Sequence, residues 1–214
     1  MCRNIFAFPV TMMGILRAGA QQVNGNRLYK PRELQHQLND AGVETILLFS
    51  GSTPTLSAIL DDTAIKTVIT IDLGDAIGLP IPTPPVDAGI PSYTKFADVL
   101  SEGAELDFTP VELAGEDTLF FQYTGGTTGL SKGAVLTHRN LIANSEQFRA
   151  YLPEASEPGK EVVIGALPLY HIFGLTLSLV YLAIGAKIIL IPNPRDMDAF
   201  VASVKDAQFS IMAG

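Results

Sequence analysis

Apolar residues run from position 5 to 16, interrupted by Pro9, and predict a buried helix that closes before the Arg17-Ala18-Gly19 stretch. The next periodic segment opens on Pro31-Arg32-Glu33-Leu34, a proline near a helix start, with Leu34, Leu38 and Ala41 along one face and Gly42 to end it. Residues 45–49 (TILLF) then make an apolar run of strand length, and the alternation repeats with a short helix over 54–60 and a strand over 67–71. Strands separated by helices pair in parallel through crossovers. The expected fold is therefore α/β: a layered, mostly parallel sheet flanked by helices.

Between 74 and 117 the pattern lapses. Pro80, Pro82, Pro84, Pro85 and Pro91 crowd its first half, and residues 98–117 hold seven acidic side chains and no Lys or Arg. Such composition predicts an extended, solvated connector outside the core, with no function of its own. Order returns at 118–123, an apolar and aromatic strand, so the chain divides into a first α/β part (1–73), a connector (74–117) and a second α/β part (118–214). Thr137-His138-Arg139-Asn140 reads as a helix start with Thr137 or His138 at the cap, which gives His138 a structural role.

Two segments imitate membrane or export signals. Residues 162–186 contain no Lys, Arg, Asp or Glu and are long enough to cross a bilayer. Gly165, Pro168, His171, Gly174 and Gly185 break them instead into a strand (162–167), a helix after His171 and a strand at 187–191, a buried strand–helix–strand unit. At the N-terminus, Arg3, the apolar stretch and Ala18-Gly19-Ala20 resemble a secretory signal, but Pro9 inside the stretch and Arg17 before the small residues favour an ordinary helix.

Composition narrows the function. With 47% hydrophobic and 17% charged residues in 214, the chain can bury a sizeable core. A net charge of -8 excludes a general electrostatic grip on nucleic acid or an anionic membrane, so any anionic ligand needs local features to hold it. Cys2 is the sole cysteine, which excludes an intrachain disulfide and any Cys/His metal cluster.

Those local features lie at 124–133, TGGTTGLSKG. Glycines let backbone N–H groups approach phosphate oxygens, the Thr127 and Thr128 hydroxyls add donors, and Lys132 adds charge. The P-loop of kinases and ATPases needs glycine before its lysine and Ser or Thr after it, whereas Ser131 precedes Lys132 and Gly133 follows it. A glycine-rich turn between strands would account for the glycines alone, but not for the threonines and the lysine.

From Phe121 to Lys132 the sequence resembles the signature loop of the adenylate-forming superfamily. Around it, NRLYKPRELQHQLNDAG, FQYTGGTTGLSKGAVLTHRNLIANSEQ, LPLYHIFGLTL and IPNPRDM resemble bacterial long-chain fatty-acid–CoA ligases over nearly the whole chain, with NGNRLY, through Gly25 and Arg27, departing from the usual NxNPLY-like run. The resemblance implies the large N-terminal domain of such an enzyme, in part. It also implies that Thr124, Gly125, Gly126, Thr127, Thr128, Gly129 and Lys132 bind the β- and γ-phosphates of ATP, with Thr127 beside the Mg2+-bound oxygens. His171, in LPLYHIFGL, would orient the acyl carboxylate and reacting phosphate, although among Tyr170, Ile172 and Phe173 it reads by itself as a core residue. The apolar helix at 173–183 is equally plain core, or one wall of an acyl tunnel.

The implied chemistry is fatty acid plus Mg2+-ATP to acyl-adenylate and pyrophosphate, then displacement of AMP by the thiol of coenzyme A. Missing from the sequence are the family's Tyr-Gly-x-Thr-Glu segment, its ribose-binding aspartate and its lysine-bearing C-terminal domain. Both ends therefore read as cuts through a domain, and the 214-residue chain is expected to be inactive alone and to self-associate through exposed surfaces. A cytoplasmic origin is expected, with peripheral membrane contact implied by the lipid-like substrate. The alternatives are a non-catalytic nucleotide-binding or interaction module, and an adenylate-former acting on another acyl or aryl acid.

Overall fold

The computed structural model describes residues 1–124 and 130–213, and the chain divides into two compact units. Unit 1 comprises Met1–Cys2, Phe6–Leu113 and Leu119–Val135, and unit 2 comprises Arg3–Ile5, Ala114–Thr118 and Leu136–Gly214.

Unit 1 opens with helix α1 (Ala7–Arg17) and the short strand β1 (Gln22–Val23). Helix α2 (Pro31–Asp40) begins as the sequence predicts, with Pro31 in its first turn, where a missing N–H costs nothing. The Glu33 carboxylate accepts the Lys30 backbone N–H at 2.7 Å, and Gly42 leaves the helix at φ 61°. Strands β2 (Thr45–Phe49) and β3 (Thr67–Ile71) pair in parallel from Thr45↔Thr67 to Phe49↔Ile71, with the five-residue helix α3 (Thr53–Ser57) on the connection. Leu34 and Leu38 of α2 meet Ile46, Leu48, Leu56, Ile59 and Val68 in one apolar cluster, where each fully buried side chain contributes roughly 1.5–3 kcal/mol.

The stretch expected to be an extended connector is partly structured. Strand β4 (Thr94–Lys95) adds in parallel to β3, and helix α4 (Phe96–Ala104) follows with Phe96 buried, while Ile90 belongs to the unit 1 core. The acidic side chains masked this helix, because they decorate its solvent face while a single aromatic anchors it. Strands β5 (Thr118–Thr124) and β6 (Lys132–Thr137) complete a three-stranded sheet ordered β1-β5-β6, in which β1 lies parallel to β5.

In unit 2, helix α5 (His138–Tyr151) starts at Thr137, whose hydroxyl accepts the Asn140 N–H while Asn140 Oδ1 accepts the Thr137 N–H. The uncharged 162–186 stretch resolves into β7 (Val162–Gly165), α6 (Ile172–Ala183) and, just beyond, β8 (Lys187–Leu190), the strand–helix–strand unit that its glycines and proline predict. Among the described residues no helix is long and apolar enough to cross a membrane. Helix α7 (Met197–Val204) leads to β9 (Ile211–Met212), and the sheet runs β8-β7-β9, parallel throughout. Its core joins Val163, Leu177, Tyr181 and Ile184, with Phe148 of α5 edge-on to Tyr181 at 5.9 Å. Leu175 and Val180 of α6 are wholly buried, as a core helix requires.

Candidate functional site

The residues that the sequence singles out fall in both units, the 124–133 segment in unit 1 and His171 in unit 2. Thr124 ends β5 and Lys132 begins β6, both exposed, so a hydroxyl and an ammonium bracket the segment between the two strands. Gly125, Gly126, Thr127, Thr128 and Gly129, including the magnesium candidate Thr127, lie outside the described residues.

The donor set of 124–133 fits a polyanion: hydroxyls and one cation, with no carboxylate in the sequence of the loop. Among the described residues no cluster of three or more His, Cys, Asp or Glu could hold a metal ion.

His171, in unit 2, is exposed and caps α6: the Phe173 N–H points to its Nδ1 at 3.4 Å. Where Nδ1 accepts, the other ring nitrogen, Nε2, is the donor. The approach to His171 is held tightly. Gly174 allows the Leu167-Pro168 backbone to pass close over the helix start, since a Cβ there would sit 2.5 Å from the Pro168 carbonyl oxygen. The buried Asn4 side chain donates to the Gly165 and Leu167 carbonyls at 3.2 and 2.8 Å and accepts the Leu169 N–H at 3.0 Å. One amide thus satisfies three backbone groups of the turn that leads from β7 to His171.

Comparison with known proteins decides the family. The AMP-binding enzyme family matches residues 1–214. The chain belongs to the AMP-binding enzymes.

Within this family the chain is 42% identical over 226 aligned residues to a long-chain-fatty-acid–CoA ligase of Escherichia coli O6:H1, covering all of this chain and 40% of that protein. A long-chain-fatty-acid–CoA ligase of Bacillus subtilis is 31% identical over 86% of this chain and 35% of its own length. The chain therefore spans about two-fifths of the length of the curated relatives it matches most fully. Among solved structures, a long-chain-fatty-acid–CoA ligase from Archaeoglobus fulgidus superposes with a TM-score of 0.80 at 24% identity, over 99% of this chain and 38% of that one, which establishes the shared fold.

Beyond the motif residues, the AMP-binding chain places side chains at its loop that the sequence did not single out. Tyr123 adjoins Thr124 at the end of β5, and its hydroxyl donates to Asp40 Oδ2 at 2.5 Å. His36, one turn before Asp40 on α2, has its ring Nε2 2.9 Å from the Ser131 carbonyl oxygen. The spacing of His36 and Asp40 marks a shared helix face, but nothing in the sequence names the strand they meet.

Proposed function

We propose that this chain is the phosphate-loop portion of an ATP-dependent long-chain fatty-acid–CoA ligase. The observation that carries the reading is the match along the whole chain to long-chain-fatty-acid–CoA ligases at 42% identity, with Thr124 and Lys132 exposed at the two ends of the loop. Family enzymes use ATP, coenzyme A and, in general, Mg2+; in this chain Lys132 and the loop hydroxyls would hold the β- and γ-phosphates. Bound Mg2+ supplies charge neutralisation as the phosphates take on negative charge.

Lys132 and the loop N–H groups act best if aimed before the charge develops, because no reorganisation is then needed. His171, with Nδ1 engaged by its own helix, offers Nε2–H for orienting a carboxylate or phosphate oxygen. A fatty acid is the favoured acyl substrate because relatives 38% and 42% identical over the whole chain are long-chain-fatty-acid–CoA ligases, whereas a 4-coumarate–CoA ligase of rice is 29% identical.

Isothermal titration of Mg2+-ATP into the 214-residue chain tests this reading. Saturable binding that Lys132→Ala weakens about tenfold, as the loss of one charge-assisted contact implies, is the expected result. No binding by the unmodified chain, or equal binding by the variant, overturns it.

A further inference from the structure

Helix α2 holds both flanks of the phosphate loop. On the incoming side, the Tyr123 hydroxyl donates to Asp40, and burial first, with the Asp40 carboxylate after it, pushes the phenol's pKa well up, so the proton stays on the tyrosine. On the outgoing side, a carbonyl can only accept, so the His36 Nε2 beside Ser131 carries a proton and donates. The two grips touch each other: the His36 and Tyr123 rings meet edge to face at 6.5 Å. The Tyr123 ring also lies against Gly133, where a Cβ would come within 3.0 Å of two ring carbons. Tyr123 is therefore seated across β6 as well as on α2.

The helix that makes these contacts is itself fixed. Leu34 and Leu38 anchor it in the unit 1 core, and on the same helix the buried Gln37 donates to the Asn24 carbonyl at 3.0 Å. Asp40 is exposed and His36 only half-buried, and neither belongs to the apolar cluster. Stability of the core does not require a histidine and an aspartate at these two places.

We propose that His36 and Asp40 are positioning residues of the phosphate loop, setting where Thr124 and Lys132 stand before a triphosphate arrives. The role rests on the reading of 124–132 as the grip on the ATP phosphates. Ordering the flanks in advance lowers the entropy lost on binding, and the gain is realised as nucleotide affinity.

Two measurements on the 214-residue chain separate the device from its purpose. Amide hydrogen exchange without nucleotide, read at 123–124 and 130–133, reports the grip alone. For Asp40→Asn, Tyr123→Phe and His36→Ala the exchange there is expected to rise at least about tenfold, with the α2 and β2 amides unchanged. His36→Gln, which keeps an N–H for the Ser131 carbonyl, is expected to recover most of the protection. Titration with Mg2+-ATP should then show binding weakened about five- to thirtyfold in the same three variants and largely restored in His36→Gln.

Unchanged exchange in all three variants overturns the positioning role whatever the binding result. Raised exchange with unchanged affinity also overturns it, because the grip would then be structural only. Raised exchange in variants of a chain that binds no Mg2+-ATP upholds the grip and rejects the nucleotide reading instead.

Discussion

Asn4 shows how one side chain can fix the turn before His171 from far along the sequence. Its amide meets Gly165, Leu167 and Leu169, so removing it orphans the Leu167 carbonyl and the Leu169 N–H, while the Gly165 carbonyl keeps the Ile191 N–H at 3.1 Å. Each unsatisfied buried group costs about 1–3 kcal/mol, less whatever water or relaxation recovers, so Asn4→Ala should lose about 2–4 kcal/mol in urea unfolding. Asn4→Asp is the sharper test. It keeps an acceptor for Leu169 but sets a carboxylate against two carbonyl oxygens, and at neutral pH it should destabilise at least as much as alanine. A loss below about 0.5 kcal/mol for both variants would show that the turn before His171 is held by something else. The sequence could not supply this contact, because a partner some 160 positions away leaves no local trace.

At the scale of elements, much was legible for physical reasons that can be named. The β2, α2 and β3 segments carry one period each, bounded by Pro31 and Gly42, and they form where the pattern puts them. The apolar stretch near the N-terminus does form α1, yet only Ala7, Phe8 and Met12 of that helix are buried, so it is a surface helix with one apolar stripe. Helix α4 escaped notice because only one of its residues, Phe96, is buried, and it lies between a proline-rich stretch and an acidic one. The 124–133 segment stands out by composition alone, whereas the His36 and Asp40 contacts that flank it depend on tertiary pairing. The cap of α5 was legible too, and it yields a prediction. Thr137→Ala removes the acceptor for the Asn140 N–H and should cost about 1 kcal/mol, while Thr137→Ser should be close to neutral. Differential scanning calorimetry of the two variants side by side decides it, and equal midpoints would remove the cap's role.

For the whole molecule, the exposed apolar surface argues for self-association. In unit 2, α7 buries none of its residues completely and shows Met197 and Val201, more than half exposed, one turn apart on one face. The strand β9 that follows it in the chain is a two-residue sheet edge with Met212 half exposed, a place where another strand can add. In unit 1, Leu130 and Val135 are likewise more than half exposed on and before β6. A net charge of -8 opposes association at low salt but is screened within about 10 Å near 0.1 M, so the apolar term should prevail there. Sedimentation velocity at micromolar concentration and 0.15 M salt is expected to show species larger than one chain. Met197→Lys combined with Val201→Lys should shift them toward the monomer, because both substitutions place a cation on the same exposed face without touching a buried side chain. A wild-type chain that sediments as a monomer across that range would mean that these surfaces are too dispersed to bind one another, and an unchanged oligomer in the double variant would place the contact elsewhere than on α7.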